Sequence, residues 1–180
     1  MATPVIIVNY DPAWPAAFEQ LRQHLFAALA DLAPEIHHVG STAIVGLAAK
    51  PILDIHVVLP EEAIVAGIRR LAALGHRHQG DLGISGREAF TSLPDLPAHH
   101  LYLCRPDTPA HLEAIVFRDY LRTHGQAAGE YARLKRALAE TYRDDRTAYT
   151  EGKTGFVRGV LEASKNEAKF GAKTNFTPLP

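Results

Sequence analysis

Residues 36–59 read IHHVGSTAIVGLAAKPILDIHVVL, and two short patterns in this stretch decide the fold. Ile36 to Val39 forms a brief strand that stops at Gly40-Ser41. From Ile52 to Leu59 the residues alternate: Asp54, His56 and Val58 fall on one face, and Leu53, Ile55, Val57 and Leu59 on the other. A period of two is that of a β-strand with one buried face. The loop between them, Gly40 to Pro51, is built mostly from small residues.

Outward from this unit the chain alternates strand and helix, then turns helical. Val5 to Val8 is a β-branched run and reads as a strand ended by Tyr10-Asp11-Pro12. Trp14, Phe18, Leu21, Leu25, Leu29 and Leu32 recur at three- and four-residue steps, one face of a helix that Ala33-Pro34 stops. After the second strand, Pro60-Glu61-Glu62 opens a helix with acids in its first turn, and Gly75 closes it. Residues 76–93 read as a pair of strands or an irregular hairpin. His99 to Cys104 is a strand that places Leu101 and Leu103 with His99 on one face and His100, Tyr102 and Cys104 on the other.

From Pro109 three helices are expected, over 109–125, 127–142 and 149–163. The predicted class is α/β (α+β): a small mixed sheet flanked by helices, with a helical C-terminal part. One domain spans 1–164, sheet-bearing to about 107 and helical from 108 to 164, followed by a loosely ordered tail over 165–180.

Composition narrows the function. In 180 residues there are 19 Lys and Arg against 20 Asp and Glu, a formal charge of -1, so no broad basic field exists to hold a nucleic-acid backbone as the main partner. No apolar run reaches the roughly 20 residues of a membrane span, and the first residues lack the pattern of a signal peptide. Cys104 is the one cysteine, which rules out an intrachain disulfide and suits a reducing, cytoplasmic setting. Nothing in the sequence fixes the oligomeric state.

The chemistry-bearing residues gather on the opening stretch. At Gly40-Ser41 the missing Cβ lets backbone approach a ligand, and a hydroxyl with exposed N–H groups holds phosphate oxygens. Lys50 before the second strand and Asp54 on its polar face add a cation and a carboxylate, the parts that bind polyphosphate and its metal. A bare turn and a solvated lysine are the plain alternatives. Arg87 precedes a strand, Arg118 and Arg122 lie four apart on one helix face, and Lys135 and Lys153 stand on the next two helices. These five either line an anion pocket or sit in ordinary surface ion pairs. His38 shares the parity of Gly40 and is taken to face the site, whereas His24, His76, His78, His111 and His124 are expected at the surface.

Gly40-Ser41 followed by Asp54-Ile55-His56-Val57 resembles the signature of the nucleotidyltransferase superfamily, a Gly-Ser turn and then a strand with an acidic-x-acidic pair. The longer string HVGSTAIVGLAAKPILDI is similar to the GrpB family. Tyr10-Asp11-Pro12 with Trp14, His100-Leu101-Tyr102, residues 117–122, Tyr131, Lys135, Tyr149 and Lys153 extend the likeness over nearly the whole chain.

The resemblance implies a nucleotidyltransferase-like fold. Residue by residue it carries over Gly40 and Ser41 as the phosphate-proximal turn and Asp54 as the first metal carboxylate; joined to the residues read above, the expected ligand or phosphate contacts are His38, Gly40, Ser41, Thr42, Tyr102, Arg118, Arg122, Lys135 and Lys153, and the expected catalytic residues Asp54, Lys50 and Arg87. It departs from the superfamily at His56, where the second carboxylate belongs, and at His100, on the strand that would supply a third. Asp54, His56 and His100 are then a possible metal set: magnesium or manganese with the carboxylate, zinc or another transition metal if the imidazoles are ligands. The leading expectation is a metal-assisted nucleotidyl- or phosphoryl-transferase that uses a nucleotide triphosphate and a small phosphorylated molecule. The alternatives are a non-catalytic nucleotide- or phosphometabolite-binding module and an accessory domain.

Overall fold

A computed structural model describes residues 4–173 of the chain. Four strands form one mixed sheet: β1 (Glu35–Val39), β2 (Leu53–Val58), β3 (Arg87–Phe90) and β4 (His99–Cys104), in the order β1-β2-β4-β3. β1 runs antiparallel to β2, β2 parallel to β4, and β4 antiparallel to β3. Helices α1 (Trp14–Leu29) and α2 (Ile64–Ala73) come from the first part of the chain. The second part supplies α3 (Pro109–Thr123), α4 (Gly125–Thr141), α5 (Arg146–Glu151) and α6 (Thr154–Lys173). The α+β class and the mixed sheet flanked by helices follow the sequence expectation.

The two faces of the sheet are built differently. Leu53, Ile55, Val57 and Leu59 of β2 and its end, with Leu101 and Leu103 of β4, pack against Trp14, Leu21, Leu25 and Leu29 of α1 and Leu71 of α2. Ile55, Leu101 and Leu103 are fully buried, and each such side chain contributes about 1.5–3 kcal/mol of transfer free energy. Gly67 lets α2 come in close, since a Cβ there would lie 2.6 Å from Leu59 Cδ1 and 3.1 Å from Leu103 Cδ2. The opposite face carries the polar residues of the same strands.

A second apolar cluster fixes the loop that follows β1. Ile44 and Leu47 of that loop pack with Phe117 and Leu121 of α3, Tyr131 of α4, and Val160 and Leu161 of α6. The helical part therefore holds the glycine-serine turn against the polar sheet face.

Two expectations are corrected and a third is narrowed. Val5 to Val8 does not form a strand; Val8 makes an isolated antiparallel bridge to Ala49 and the run lies along α4, with Val5 N–H donating to Arg143 O. Of the two forms expected for 76–93 the structure has the irregular hairpin: β3 is its one strand, bridged antiparallel from Phe90 to His78 with Thr91 N–H donating to Arg77 O and Gln79 N–H to Ala89 O, and its glycines turn the backbone at Gly80, Gly83 and Gly86. The third C-terminal helix is divided at Gly152 into α5 and α6, and α6 continues to Lys173 through the start of the expected tail. Residues 174–180 of that tail lie outside the described residues.

Candidate functional site

The site starts at Gly40. Its φ of 70° is a left-handed conformation, and a Cβ there would collide with Asp54 Oδ2. Glycine is thus needed twice over, for the turn and for the carboxylate packed against it. Asp54 lies on β2 opposite His100 of β4 in the parallel register.

His100 Nδ1 lies 2.8 Å from Asp54 Oδ1, and its Nε2 lies 3.2 Å from Arg146 Nη2. Arginine only donates, so Nε2 accepts and Nδ1–H donates to the carboxylate. The result is a chain from Asp54 through His100 to Arg146 of α5.

These groups open into a cavity of about 470 Å³ between the sheet and the helical part. Its lining includes Gly40, Ser41, Thr42, Lys50, Asp54, Arg87, His100, Lys135, Arg146, Tyr149 and Lys153. Five of the lining side chains are Lys or Arg, and Asp54 and Glu113 are its carboxylates. Among the described residues, none of the five pairs with a carboxylate within 4.0 Å.

The lysines divide the work. Lys135, 2% exposed, donates to Ser41 Oγ at 2.8 Å and to Ala48 O, and lies 4.5 Å from the Tyr131 ring centre. It fastens both ends of the Ser41 loop to α4. Burial, with Lys153 and Arg136 nearby, pushes its ammonium down to about 7. Lys153 and Lys50 flank Tyr149, at 4.5 and 5.8 Å from its ring centre. Burial and the charge of Lys50 push Lys153 down to about 8, and burial with Arg146 lowers Lys50. Arg87 stacks over Tyr102, 4.2 Å from the ring centre, and its Nε is buried with no hydrogen-bond partner among the described residues.

Other predicted residues stand elsewhere. Arg118 donates to His38 O at 3.0 Å and pairs with Asp119; Arg122 donates to Ala43 O at 2.8 and 3.1 Å. Both clamp the turn from behind and do not line the cavity. His38 stacks on Phe18 of α1 and bonds Thr42 Oγ1 at 2.9 Å, away from the cavity, so Thr42 reaches the rim with its hydroxyl already engaged. The parity argument for His38 fails because Gly40 is a left-handed turn, through which strand alternation does not carry. His37, paired with His56 in the sheet register, shares the face of Asp54 instead. Tyr102 supports Arg87 from beneath.

His56 is 5% exposed and its Nδ1 lies 3.2 Å from Nδ1 of His111 on α3. Burial and the charge of His111 push His56 down to about 4. His111 and His76 are buried, contrary to the surface expectation, because the first lies on the side of α3 that meets His37 and His56 of the sheet and the second donates to Thr91 O inside the fold. The set Asp54, His56 and His100 is therefore not brought together, and no group of three or more His, Cys, Asp or Glu among the described residues is arranged to hold a metal ion. Among the described residues, Asp54, engaged by His100, and Glu113 on α3 are the only carboxylates of a lining with five cations, which does not fit a divalent-metal centre wanting several hard oxygen donors.

Sequence reasoning missed Arg146 and Glu113. Arg146 carries no local signal, standing as the first residue of α5 after a polar run, and only the folding of α5 over β4 brings it to His100.

No helix among the described residues is long and apolar enough to cross a membrane. Comparison with known proteins agrees with this architecture. The chain is 34% identical over 166 residues to protein YqkA of Bacillus subtilis, covering 92% of this chain and 48% of that protein. It is 34% identical to the glutamate-rich protein GrpB of Alkalihalophilus pseudofirmus, covering 87% and 94% of the two. The chain thus spans about half the length of the first relative and nearly all of the second. The crystal structure of conserved protein GrpB from Enterococcus faecalis superposes with a TM-score of 0.80 at 30% identity, over 91% of this chain and 99% of that one. The Cid1 poly(U) polymerase with MgGTP bound shares the fold at a TM-score of 0.52 and 15% identity, over 76% of this chain and 44% of that one. The fold is nucleotidyltransferase-like, and the GrpB protein family model matches residues 4–163: this chain belongs to the GrpB family.

Proposed function

We propose that this protein binds a phosphorylated small molecule, of the nucleotide or phosphometabolite class, in the cavity over Asp54. The observation that carries the reading is the set of five basic side chains lining one cavity with no carboxylate partner. Four of the five, Lys50, Arg87, Lys135 and Lys153, are buried or half-buried and Arg146 is exposed; such covered cations without a counter-ion are costly, and an incoming polyanion removes that cost. The turn at Gly40 and Ser41 supplies backbone and hydroxyl donors at the rim, where phosphate oxygens bind well.

Recognition of a phosphorylated small molecule needs no chemistry at the bound ligand, and the donor set around Asp54 supports recognition better than group transfer. Metal-assisted transfer calls on carboxylates that bridge ions and neutralise the transferring phosphate. Here the matching strand positions hold His56, turned to His111, and His100, turned to Asp54. A thermal-shift panel of nucleotides, sugar phosphates and coenzyme fragments tests the reading. Stabilisation by phosphorylated compounds and not by their dephosphorylated counterparts is expected; equal response to both, or to neither, contradicts it.

A further inference from the structure

Asp54 is engaged on one oxygen and crowded at the other. Oδ1 accepts the hydrogen bond from His100, and Oδ2 is packed against Gly40, where no Cβ would fit. His100 is in turn held from its other nitrogen by Arg146. A cation at Asp54 would find one oxygen already accepting from His100 and would lie in a cavity lined by Arg146, Lys50 and Lys153. Glu113 is the second carboxylate lining the cavity, on α3 and not on a neighbouring strand. A magnesium ion keeps near-octahedral oxygen coordination and gives up water reluctantly, so such a site offers it little.

Lys50, Lys153 and Arg146 approach the same part of the cavity from the loop, α6-proximal and α5 segments. Lys50 and Lys153 sit on either side of Tyr149, and neither has a carboxylate partner among the described residues. They supply the positive charge that a metal ion would bring to a phosphate group elsewhere.

We infer that this pocket takes its phosphorylated ligand without a divalent metal ion, Lys50, Lys153 and Arg146 neutralising the phosphate while Asp54 holds His100. This rests on the anion-binding reading above. A metal-complexed phosphate presents less negative charge to these side chains, so magnesium competes with the protein for the ligand and does not bridge the two.

Isothermal titration of the full chain with ATP and with inorganic pyrophosphate, in EDTA and then in excess magnesium, tests the inference. Saturable binding in EDTA that magnesium weakens several-fold is expected. Binding of either probe only in magnesium overturns the metal-free inference and leaves the phosphate-binding reading standing. Binding of neither probe in either buffer overturns both. Lys153→Met should weaken binding in EDTA at least ten-fold while the melting temperature holds or rises; unchanged affinity in a folded variant removes Lys153 from the site and contradicts the inference.

Discussion

The two faces of the same four strands obey different rules. On one, Ile55, Leu101 and Leu103 meet α1 and α2 in a dry core. On the other, residues one position away, Asp54, His56, His100 and Tyr102, meet a cavity and a set of histidines under the helical part. The apolar face secures stability; the polar face spends part of it, holding basic and imidazole groups in places where charge is disfavoured. The proposed binding function belongs to the polar face, and mutations on the two faces should act with opposite signs.

The largest effect is expected on the apolar side. Ile55→Ala leaves a hole between β2 and α1 and should cost about 2–5 kcal/mol in chemical denaturation, with little change in ligand affinity for the fraction that remains folded. A loss below about 1 kcal/mol would mean the core is less closely packed than its burial implies.

Next comes the acid sensitivity of the polar side. His56 is held at about 4 against an ordinary value near 6.5. The unfolded chain binds more protons than the folded one between these values. Stability should therefore be full above about pH 6.5 and fall as pH drops toward 4, by on the order of 3 kcal/mol, levelling below. Denaturation curves at pH 7 and about 4.5 measure this, and His56→Leu should flatten the slope. An unchanged slope would place the acid sensitivity in other groups, such as His38, which burial also pushes down to about 4.

Lys153→Met should move stability the other way. With its ammonium held at about 8 against an ordinary 10.5, the folded state binds fewer protons between those values. The penalty is fully present below pH 8 and is relieved as pH rises toward 10.5. Replacement by an apolar side chain of similar length should then stabilise the protein at pH 7 by about 1–3 kcal/mol, while ligand affinity falls. A destabilised variant would show that Lys153 is a structural group. The smallest effect belongs to Arg122→Ala, which removes two hydrogen bonds to Ala43 O at a half-exposed position. It should cost about 1 kcal/mol and weaken ligand binding only through the loosened turn.

The apolar face was legible in the sequence because periodicity states it directly. Leu53, Ile55, Val57 and Leu59 alternate, and Trp14, Leu21, Leu25 and Leu29 follow helical spacing, so both elements and their apolar faces could be read from the sequence, while their contact came with the fold. The polar face was legible only in part. Gly40, Ser41, Lys50, Asp54, Arg87, Lys135 and Lys153 were named and do share one cavity.

Arg118 and Arg122 were indistinguishable by sequence from pocket arginines; which way a helix face turns depends on packing by α4 and α6. Arg146 and His111 were missed because their partners, His100 and His56, lie 46 and 55 residues away in the chain. The pairing of His56 with His111 was the decisive contact, since it removes His56 from Asp54 and with it the proposed metal set.

The central claim is that buried amines in this cavity are the ligand's partners, and proton linkage tests it most directly. An anion drawn to Lys153 and Lys135 raises their proton affinity, so binding at about pH 8 must draw protons from solution. Titration of the protein with ATP, whose phosphates are already ionised at that pH, in two buffers of different ionisation enthalpy counts them. Net proton uptake that falls in Lys153→Met to the share left to Lys135 is the predicted result. Saturable binding with no uptake would contradict the account, because the ligand would then sit away from these lysines.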